Sequence, residues 1–209
     1  MATSVYERIR EAILTGRFPA GQLLGEVALA GEFGTSRTPV REALHRLEIE
    51  RLVERAARGV RVRASSPEEI LDIYEVRITL EGAAARGAAQ RATELDLVRL
   101  RAAQEAMRRV GEEPQERARA NRAFHEALWQ ASHSPTLDDL LRRLHAHLIR
   151  YPTTTLTHGS RWEQVLEQHD ALLAAIDAHD AEAARRIAEE HMTDARDVRL
   201  RMYAEGDQG

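Results

Sequence analysis

The chain has 209 residues, a formal net charge of -4 and no cysteine, and charged residues make up 31% of it. It contains no run of about 18 apolar residues, which argues against a transmembrane helix, and without cysteine there is neither a disulfide framework nor thiolate chemistry. We therefore expect a cytoplasmic globular protein with one large domain or two small ones.

The charge is unevenly distributed along the chain. Residues 1–63 contain 11 arginines and 8 acidic residues, a net charge of +3. The other 19 arginines and 26 acidic residues give residues 64–209 a net charge of -7. This asymmetry indicates an anionic partner for the N-terminal part alone.

The first part of the chain predicts two short helices. Ser4 and Glu7 have the spacing of a capping box, and apolar residues then repeat at helical intervals until Gly16. Residues 26–33 form the second helix, which Gly34 ends. We expect both helices to pack their apolar faces into one small core.

A third helix is expected from about Ser36 to Arg51, and its two faces differ. Its apolar stripe comprises Val40, Ala43, Leu44 and Leu47. The opposite face carries Thr38, Arg41, Glu42 and His45, with Arg37 at its N-terminal edge. A recognition helix in the major groove of DNA presents polar groups in this way, and arginine can bind guanine through two hydrogen bonds. The structural alternative is a surface helix with solvated charges.

A hairpin should follow the third helix. Val60 and Val62 alternate with Arg61 and Arg63, as in a strand with one exposed face. The dipeptide Arg58-Gly59 is then the tip of a two-stranded wing.

Together these features resemble the winged helix-turn-helix of GntR-type bacterial transcription regulators. The resemblance covers residues 5–63 and is carried by the turn between Gly16 and Gly21 and by the run SRTPVREALHRL from Ser36 to Leu47. It implies that Ser36, Arg37, Thr38 and Arg41 contact DNA and that the tip at Arg58-Gly59 enters the minor groove. Two positions depart from the family: Arg51 replaces a common glycine, and Val27 stands where some members have a DNA-contacting arginine.

The rest of the chain predicts an all-helical domain. Ser66, Pro67 and Glu69 form a helix-start signal, so we place the boundary between domains 1–64 and 65–209. Six helices are expected beyond it, at about 67–90, 93–111, 114–133, 136–150, 160–178 and 180–204. The fold class is therefore mainly α, a winged helix-turn-helix followed by a six-helix bundle.

Three histidines of this second domain lie on apolar helical stripes. They are His125, His169 and His191, and Asn121 precedes the first of them by one turn. Three inward imidazoles and an oxygen ligand could hold a divalent metal such as Zn²⁺ or Ni²⁺. The alternative for each is a hydrogen-bonded core histidine. Five others show no such pattern and are interpreted as structural or solvated: His133, His145, His147, His158 and His179.

The sequence around these residues is similar to the FCD effector domain of the FadR subfamily. The resemblance spans about residues 67–204 and is carried by the segments 121–125, 167–169 and 189–192. It implies a metal, bound by one aspartate and three histidines, that faces an effector cavity. The matching residues are Asn121, His125, His169 and His191. Because Asn121 replaces a charged ligand with a neutral one, we expect the metal to bind more weakly and to need an anionic effector.

Arg77 interrupts an otherwise apolar stripe of the first helix in this domain. A buried arginine needs an anion or several acceptors. Either Glu81, one turn later, or the carboxylate of an effector could serve.

The sequence therefore predicts an effector-responsive transcription regulator, more specifically a repressor, and not an enzyme. We expect a homodimer that binds a palindromic operator in double-stranded DNA and a small carboxylate in the helical domain, with no membrane partner. Two alternatives remain: a metal-dependent, hydrolase-like enzyme and an architectural DNA-binding protein without effector. Against the enzyme, His125-Glu126 is not followed by the second histidine of an H-E-x-x-H motif.

Overall fold

The computed structural model describes residues 4–64, 66–149 and 154–206. Residue 65, at the expected domain boundary, lies outside these ranges. The chain divides into two compact units, one comprising Met1–Ser66 and Ala146–Pro152, the other Pro67–His145 and Thr153–Gly209. None of the helices in the described ranges combines the length and apolar character needed to cross a membrane.

The first unit contains three helices and a small antiparallel sheet. Its elements in chain order are α1 (Val5–Leu14), β1 (Leu23–Leu24), α2 (Glu26–Phe33), α3 (Arg37–Ile49), β2 (Val53–Arg55) and β3 (Val60–Val62). The strand order is β1-β3-β2, and Val53 of β2 faces Val62 of β3. This is the arrangement of a helix-turn-helix followed by a wing.

Strand β1 was not predicted from the sequence. It has only two residues, and Leu23 and Leu24 pair with Arg61 and Val60 of β3. A two-residue strand is too short to show alternation, so only the pairing with β3 defines it.

Local sequence accounts for the start of α1 and the end of α3. Ser4 and Glu7 form the expected capping box at the start of α1. At the end of α3, Arg51 takes a φ of 55°, a conformation that glycine adopts more easily. The amide of Arg51 donates to the carbonyl of Glu48, and that of Leu52 donates to that of Leu47. Arg51 therefore completes a helix stop of the kind that glycine usually makes.

The second unit is helical throughout its described residues, apart from its connections. Its α-helices are α4 (Pro67–Arg91), α5 (Glu94–Arg108), α6 (Pro114–Ala131), α7 (Pro135–Ile149), α8 (Arg161–Asp177) and α9 (Ala181–Ala204), and a 3₁₀ turn covers Thr155–Thr157. The residues of α7 up to His145 belong to this unit. These α-helices agree with the six expected helices to within a few residues at each end.

Aromatic and aliphatic side chains from several helices form the core of the second unit. Phe124 and Trp129 of α6 are fully buried, as are Leu100 of α5 and Val165 of α8. Helix α4 lies close to α9 because Gly82 has no side chain: a Cβ there would be 2.7 Å from Cγ of Glu189. This packing brings polar residues of α4, α6, α8 and α9 to the interior.

Candidate functional site

The expected DNA-contacting face of α3 is exposed. Ser36, Arg37, Thr38, Arg41 and His45 all lie at the surface, and the predicted stripe Val40, Ala43, Leu44 and Leu47 is buried. The hydroxyl of Ser36 makes no capping hydrogen bond, although the residue occupies the N-cap position. The buried stripe packs α3 against the core, so the five polar side chains are exposed together on its other face.

An acidic residue of α2 holds both arginines of this face. Glu26 accepts from Nε and Nη2 of Arg41 at 2.8 and 2.9 Å, and from Nη2 of Arg37 at 3.0 Å. These hydrogen bonds from Arg41 and Arg37 lower the pKa of Glu26 to about 2. Sequence patterns could not identify this partner, because Glu26 lies on α2 and both arginines lie on α3.

The wing tip also lies at the surface. The turn between β2 and β3 is closed by a hydrogen bond from the amide of Ala56 to the carbonyl of Gly59. Gly59 has a φ of 91°, and a Cβ there would lie 3.2 Å from the carbonyl oxygen of Leu24. Glycine is therefore required both by the backbone conformation and by the strand beside it. Arg58, immediately before it, is exposed.

The three predicted ligand histidines come together in the second unit. His125 lies on α6, His169 on α8 and His191 on α9, and all three are buried. One ring nitrogen from each lies within 4.8 Å of the others. The ring centroids are 5.3 Å apart for His125–His169 and 4.8 Å for His169–His191. Three helices that are distant in sequence thus converge on one point.

Several polar atoms at this point are buried and have no hydrogen-bond partner among the described residues. They are both ring nitrogens of His169 and Nδ1 of His125. On α6, one turn before His125, Oδ1 of Asn121 is also buried without a partner among the described residues. His169 is held by stacking on Phe124, with ring centroids 3.8 Å apart and planes 9° from parallel. Unpaired buried nitrogens normally cost stability, and a metal ion is one group that would satisfy them. The donor set therefore fits a divalent metal.

The environment favours the uncharged imidazoles that metal binding requires. Burial holds the pKa of His169 well below its usual range, and the nearby His125 and Arg161 add to this. Burial likewise lowers the pKa of His191, with contributions from His169 and His125. Both rings are therefore neutral at pH 7.

Arg77 lies beside this group but already has a partner. Its Nη2 donates to Oε1 of Glu81, the alternative that i, i+4 spacing suggested, and both side chains are almost fully buried. Nε of Arg77 has no hydrogen-bond partner among the described residues. Glu81 also accepts from Nε1 of Trp129 at 2.7 Å and lies 3.4 Å from Nδ1 of His125. Buried polar side chains therefore lie side by side from Arg77 through Glu81 to His125.

Glu81 is ionised despite its burial. Burial alone would raise its pKa, but the neighbouring His125, the charge of Arg77 and the hydrogen bond from Trp129 outweigh this and lower it. The buried carboxylate supplies negative charge next to the histidines, where Asn121 supplies none.

His145, which was interpreted as structural or solvated, belongs to the same interior. Its ring packs edge-on against Trp129, with centroids 5.9 Å apart, and burial lowers its pKa strongly, with Arg77 and His125 contributing. Nδ1 of His145 has no hydrogen-bond partner among the described residues. Leu141, one turn earlier on α7 and fully buried, was the available signal for an inward position.

The chain matches two family models that together cover most of its length. Residues 1–62 match the "Bacterial regulatory proteins, gntR family" model and residues 72–194 match the "FCD domain" model.

Individual relatives agree with these matches. The uncharacterized HTH-type transcriptional regulator YdhC of Bacillus subtilis is 31% identical, over 87% of this chain and 83% of its own length. The galactonate operon transcriptional repressor of Escherichia coli is also 31% identical, over 84% and 86%. Among solved structures, E. coli McbR/YncC superposes with a TM-score of 0.79 at 25% identity, covering 95% of this chain and 96% of that one. The chain belongs to the GntR family of bacterial transcription regulators and carries an FCD effector domain.

Proposed function

We propose that this regulator represses transcription by binding a palindromic operator as a homodimer, and that a small carboxylate bound with a divalent metal in the FCD domain controls it. The observation that carries the proposal is the set of three convergent histidines with unpaired buried nitrogens. It distinguishes an effector-responsive regulator from an architectural DNA-binding protein, which has no use for such a site.

The DNA-binding residues in this proposal are Ser36, Arg37, Thr38, Arg41 and His45 on α3 and Arg58 and Gly59 at the wing tip. Their exposure supports the assignment, as does the fixed position of Arg41, whose Nη1 is not used by Glu26. A two-fold dimer reads two related half-sites, so the operator is palindromic.

The metal ligands in this proposal are Asn121, His125, His169 and His191. Zn²⁺ and Ni²⁺ both suit imidazole ligands. Bound there, the metal would supply a Lewis-acidic centre that takes a carboxylate oxygen of the effector. Because Asn121 adds no charge, the anionic effector contributes more to holding the metal than it would beside an aspartate.

Arg77 is the proposed effector-binding residue. Its unpaired Nε can donate one hydrogen bond to a carboxylate while Nη2 remains on Glu81. The galactonate operon repressor from E. coli, named above, makes hydroxy acids the first class to test. By linkage, an effector that lowers operator affinity must itself bind the operator complex more weakly by the same factor.

The test has two parts. Selection of bound sequences from random duplex DNA should yield two inverted half-sites, and light scattering should give twice the 23.5 kDa mass of one chain. Thermal melting with Zn²⁺ or Ni²⁺ plus D-galactonate or lactate should raise the melting temperature, whereas D-galactose, which lacks the carboxylate, should not. Equal shifts with galactonate and galactose would exclude a carboxylate effector, and a monomer on DNA would exclude the dimer.

A further inference from the structure

The structure contains a chain of hydrogen bonds behind one of the three histidines. Oε1 of Gln168 lies 2.8 Å from Nδ1 of His191. Nη1 of the buried Arg161 donates to the same Oε1 at 3.0 Å, and Nε2 of Gln168 donates to Oδ2 of Asp194 at 2.6 Å. Arg161 also donates from Nη2 to the backbone carbonyl of His191 at 2.9 Å. One amide is thus held between a cation, an anion and the imidazole.

The charged neighbours determine which way this amide points. The oxygen and nitrogen of a glutamine side chain have nearly the same shape, so hydrogen bonding has to distinguish them. A guanidinium only donates and an ionised carboxylate only accepts. Arg161 therefore requires the oxygen of Gln168 on its side, and Asp194 independently requires the nitrogen on the other.

The orientation of the amide in turn determines the tautomer of His191. An amide oxygen cannot donate, so the short contact with Oε1 is a hydrogen bond only if Nδ1 of His191 carries a proton. A neutral imidazole has one N–H, which leaves the lone pair on Nε2. The opposite tautomer would place two acceptors 2.8 Å apart.

We infer that Gln168, oriented by Arg161 and Asp194, is a positioning residue that fixes His191 as the Nδ1–H tautomer and so leaves Nε2 as its metal-binding atom. A hydrogen bond to the second ring nitrogen commonly sets the tautomer of a metal-binding histidine. His169 differs, because neither of its ring nitrogens has a partner among the described residues. The inference rests on the metal site proposed above, but the tautomer itself does not need the metal.

Nitrogen NMR of the imidazoles in the metal-free, full-length protein tests the tautomer directly. Long-range proton–nitrogen correlations of wild-type protein should show His191 protonated at Nδ1 and unprotonated at Nε2. In Gln168→Met, which keeps the size of the side chain but removes the strong acceptor, His191 should become a mixture of both tautomers. A predominantly Nε2–H form in wild type, or an unchanged spectrum in Gln168→Met, would overturn the inference.

Metal titration then tests the consequence, with a matched double variant. Gln168→Met should lower the affinity for Zn²⁺ by about 10–100-fold, the usual effect of losing such a partner. Gln168→Glu combined with Asp194→Asn keeps the total charge and an acceptor for both Arg161 and His191, so it should retain the wild-type tautomer and most of the affinity. A double variant as weak as Gln168→Met, with normal folding by circular dichroism, would contradict the positioning role.

The two readouts separate the failure of this inference from the failure of the metal site. If wild-type protein shows the Nδ1–H tautomer and binds neither Zn²⁺ nor Ni²⁺, the proposed metal is wrong and the tautomer serves no ligand. If it binds metal with His191 in the other tautomer, the proposed metal site is supported and the proposed role of Gln168 is wrong.

Discussion

Glu26 and Arg41 form a two-point ion pair between α2 and α3, with Nε–Oε1 and Nη2–Oε2 distances of 2.8 and 2.9 Å. Both groups are accessible to water, so the pair adds little to folding stability. Its effect is geometric: a planar guanidinium bound along one edge has a fixed direction, and its Nη1 stays available. Glu26 of α2 therefore orients Arg41 of α3, the residue that is expected to read a base.

Replacing Glu26 with glutamine should lower the discrimination between operator and unrelated DNA. Removing a negative charge from the expected DNA-facing surface strengthens non-specific binding, while Arg41 and Arg37 lose their fixed direction. Fluorescence anisotropy at one salt concentration should show higher affinity for random duplex and a smaller specificity ratio. Glu32→Gln, which makes the same charge change on α2 at a residue paired with Arg17, is the matched control. An unchanged ratio in Glu26→Gln would contradict an orienting role.

Replacing either Arg37 or Arg41 with alanine should weaken operator binding. A side chain that reads a base contributes about 1–3 kcal/mol, whereas a phosphate contact weakens binding to all sequences alike. Anisotropy titrations against operator and against single-base variants of it distinguish these cases. Arg186→Ala, which removes a charge of the same kind from α9, should bind as wild type does. Wild-type affinity in both α3 variants would show that this face does not contact DNA.

His169→Ala should remove metal binding and leave operator binding intact. The change deletes one of three convergent imidazoles, far in sequence from the residues assigned to DNA contact. Metal content after dialysis against Zn²⁺, together with the melting temperature with and without metal, measures the loss. His158→Ala is the control, because it removes a histidine outside the cluster. Equal metal uptake by the two variants would exclude His169 as a ligand.

Asn121→Asp should strengthen metal binding and destabilise the metal-free protein. One added charge at about 4 Å is worth about 4 kcal/mol per unit of opposite charge at an effective dielectric constant of 20, and desolvation offsets part of this. We therefore expect roughly a tenfold or greater gain in Zn²⁺ affinity by calorimetry. Without metal, the new carboxylate has no partner to replace water and should lower the melting temperature. Gln130→Glu adds the same charge at an exposed site on α6 and should change neither quantity.

Asp96 should give folding stability a dependence on acid pH. Although burial opposes its ionisation, hydrogen bonds from Thr93 and His133 lower its pKa from 3.8 to about 2. A group with a lowered folded-state pKa stabilises the fold above about pH 4 and loses this effect as the pH falls towards 2.

Asp96→Asn should therefore cost about 1 kcal/mol at pH 7, because solvent screens part of the interaction, and the difference from wild type should shrink below pH 4. Urea unfolding at pH 7, 4 and 2.5 measures it. Asp139→Asn, at an exposed ion pair on α7, should show no such convergence. A constant difference at all three pH values would mean that the capping geometry, and not the charge of Asp96, is responsible.

Local patterns in the sequence were sufficient for most of the fold. The capping boxes at Ser4 and Thr93 and the apolar stripes of α1 and α3 depend on residues within one or two turns, so they could be predicted without the tertiary structure. The expected end of α3 near Arg51 agrees with the structure, but only the structure shows that an arginine there adopts a conformation that glycine takes more easily. Strand β1 could not be predicted, because two residues become a strand only through pairing with β3.

The same distinction holds for the two candidate sites. The exposed face of α3 lies on a single helix, and its periodicity alone separated exposed from buried positions. Spacing could show that His125, His169 and His191 each face inward. Only the packing of α6, α8 and α9 could bring their nitrogens within 4.8 Å of one another.

Only the tertiary structure identifies the residues that orient Arg41 and His191. Glu26 acts on Arg41 from another helix, and Gln168 acts on His191 across 23 residues. Hydrogen bonds and close ion pairs form only between side chains in contact, and side chains this far apart in sequence show no periodic relation. The sequence by itself therefore determined which helices form, which faces they bury and which ligand types are present. The packed structure decided which donors meet which acceptors, and with that the direction of Arg41 and the tautomer of His191.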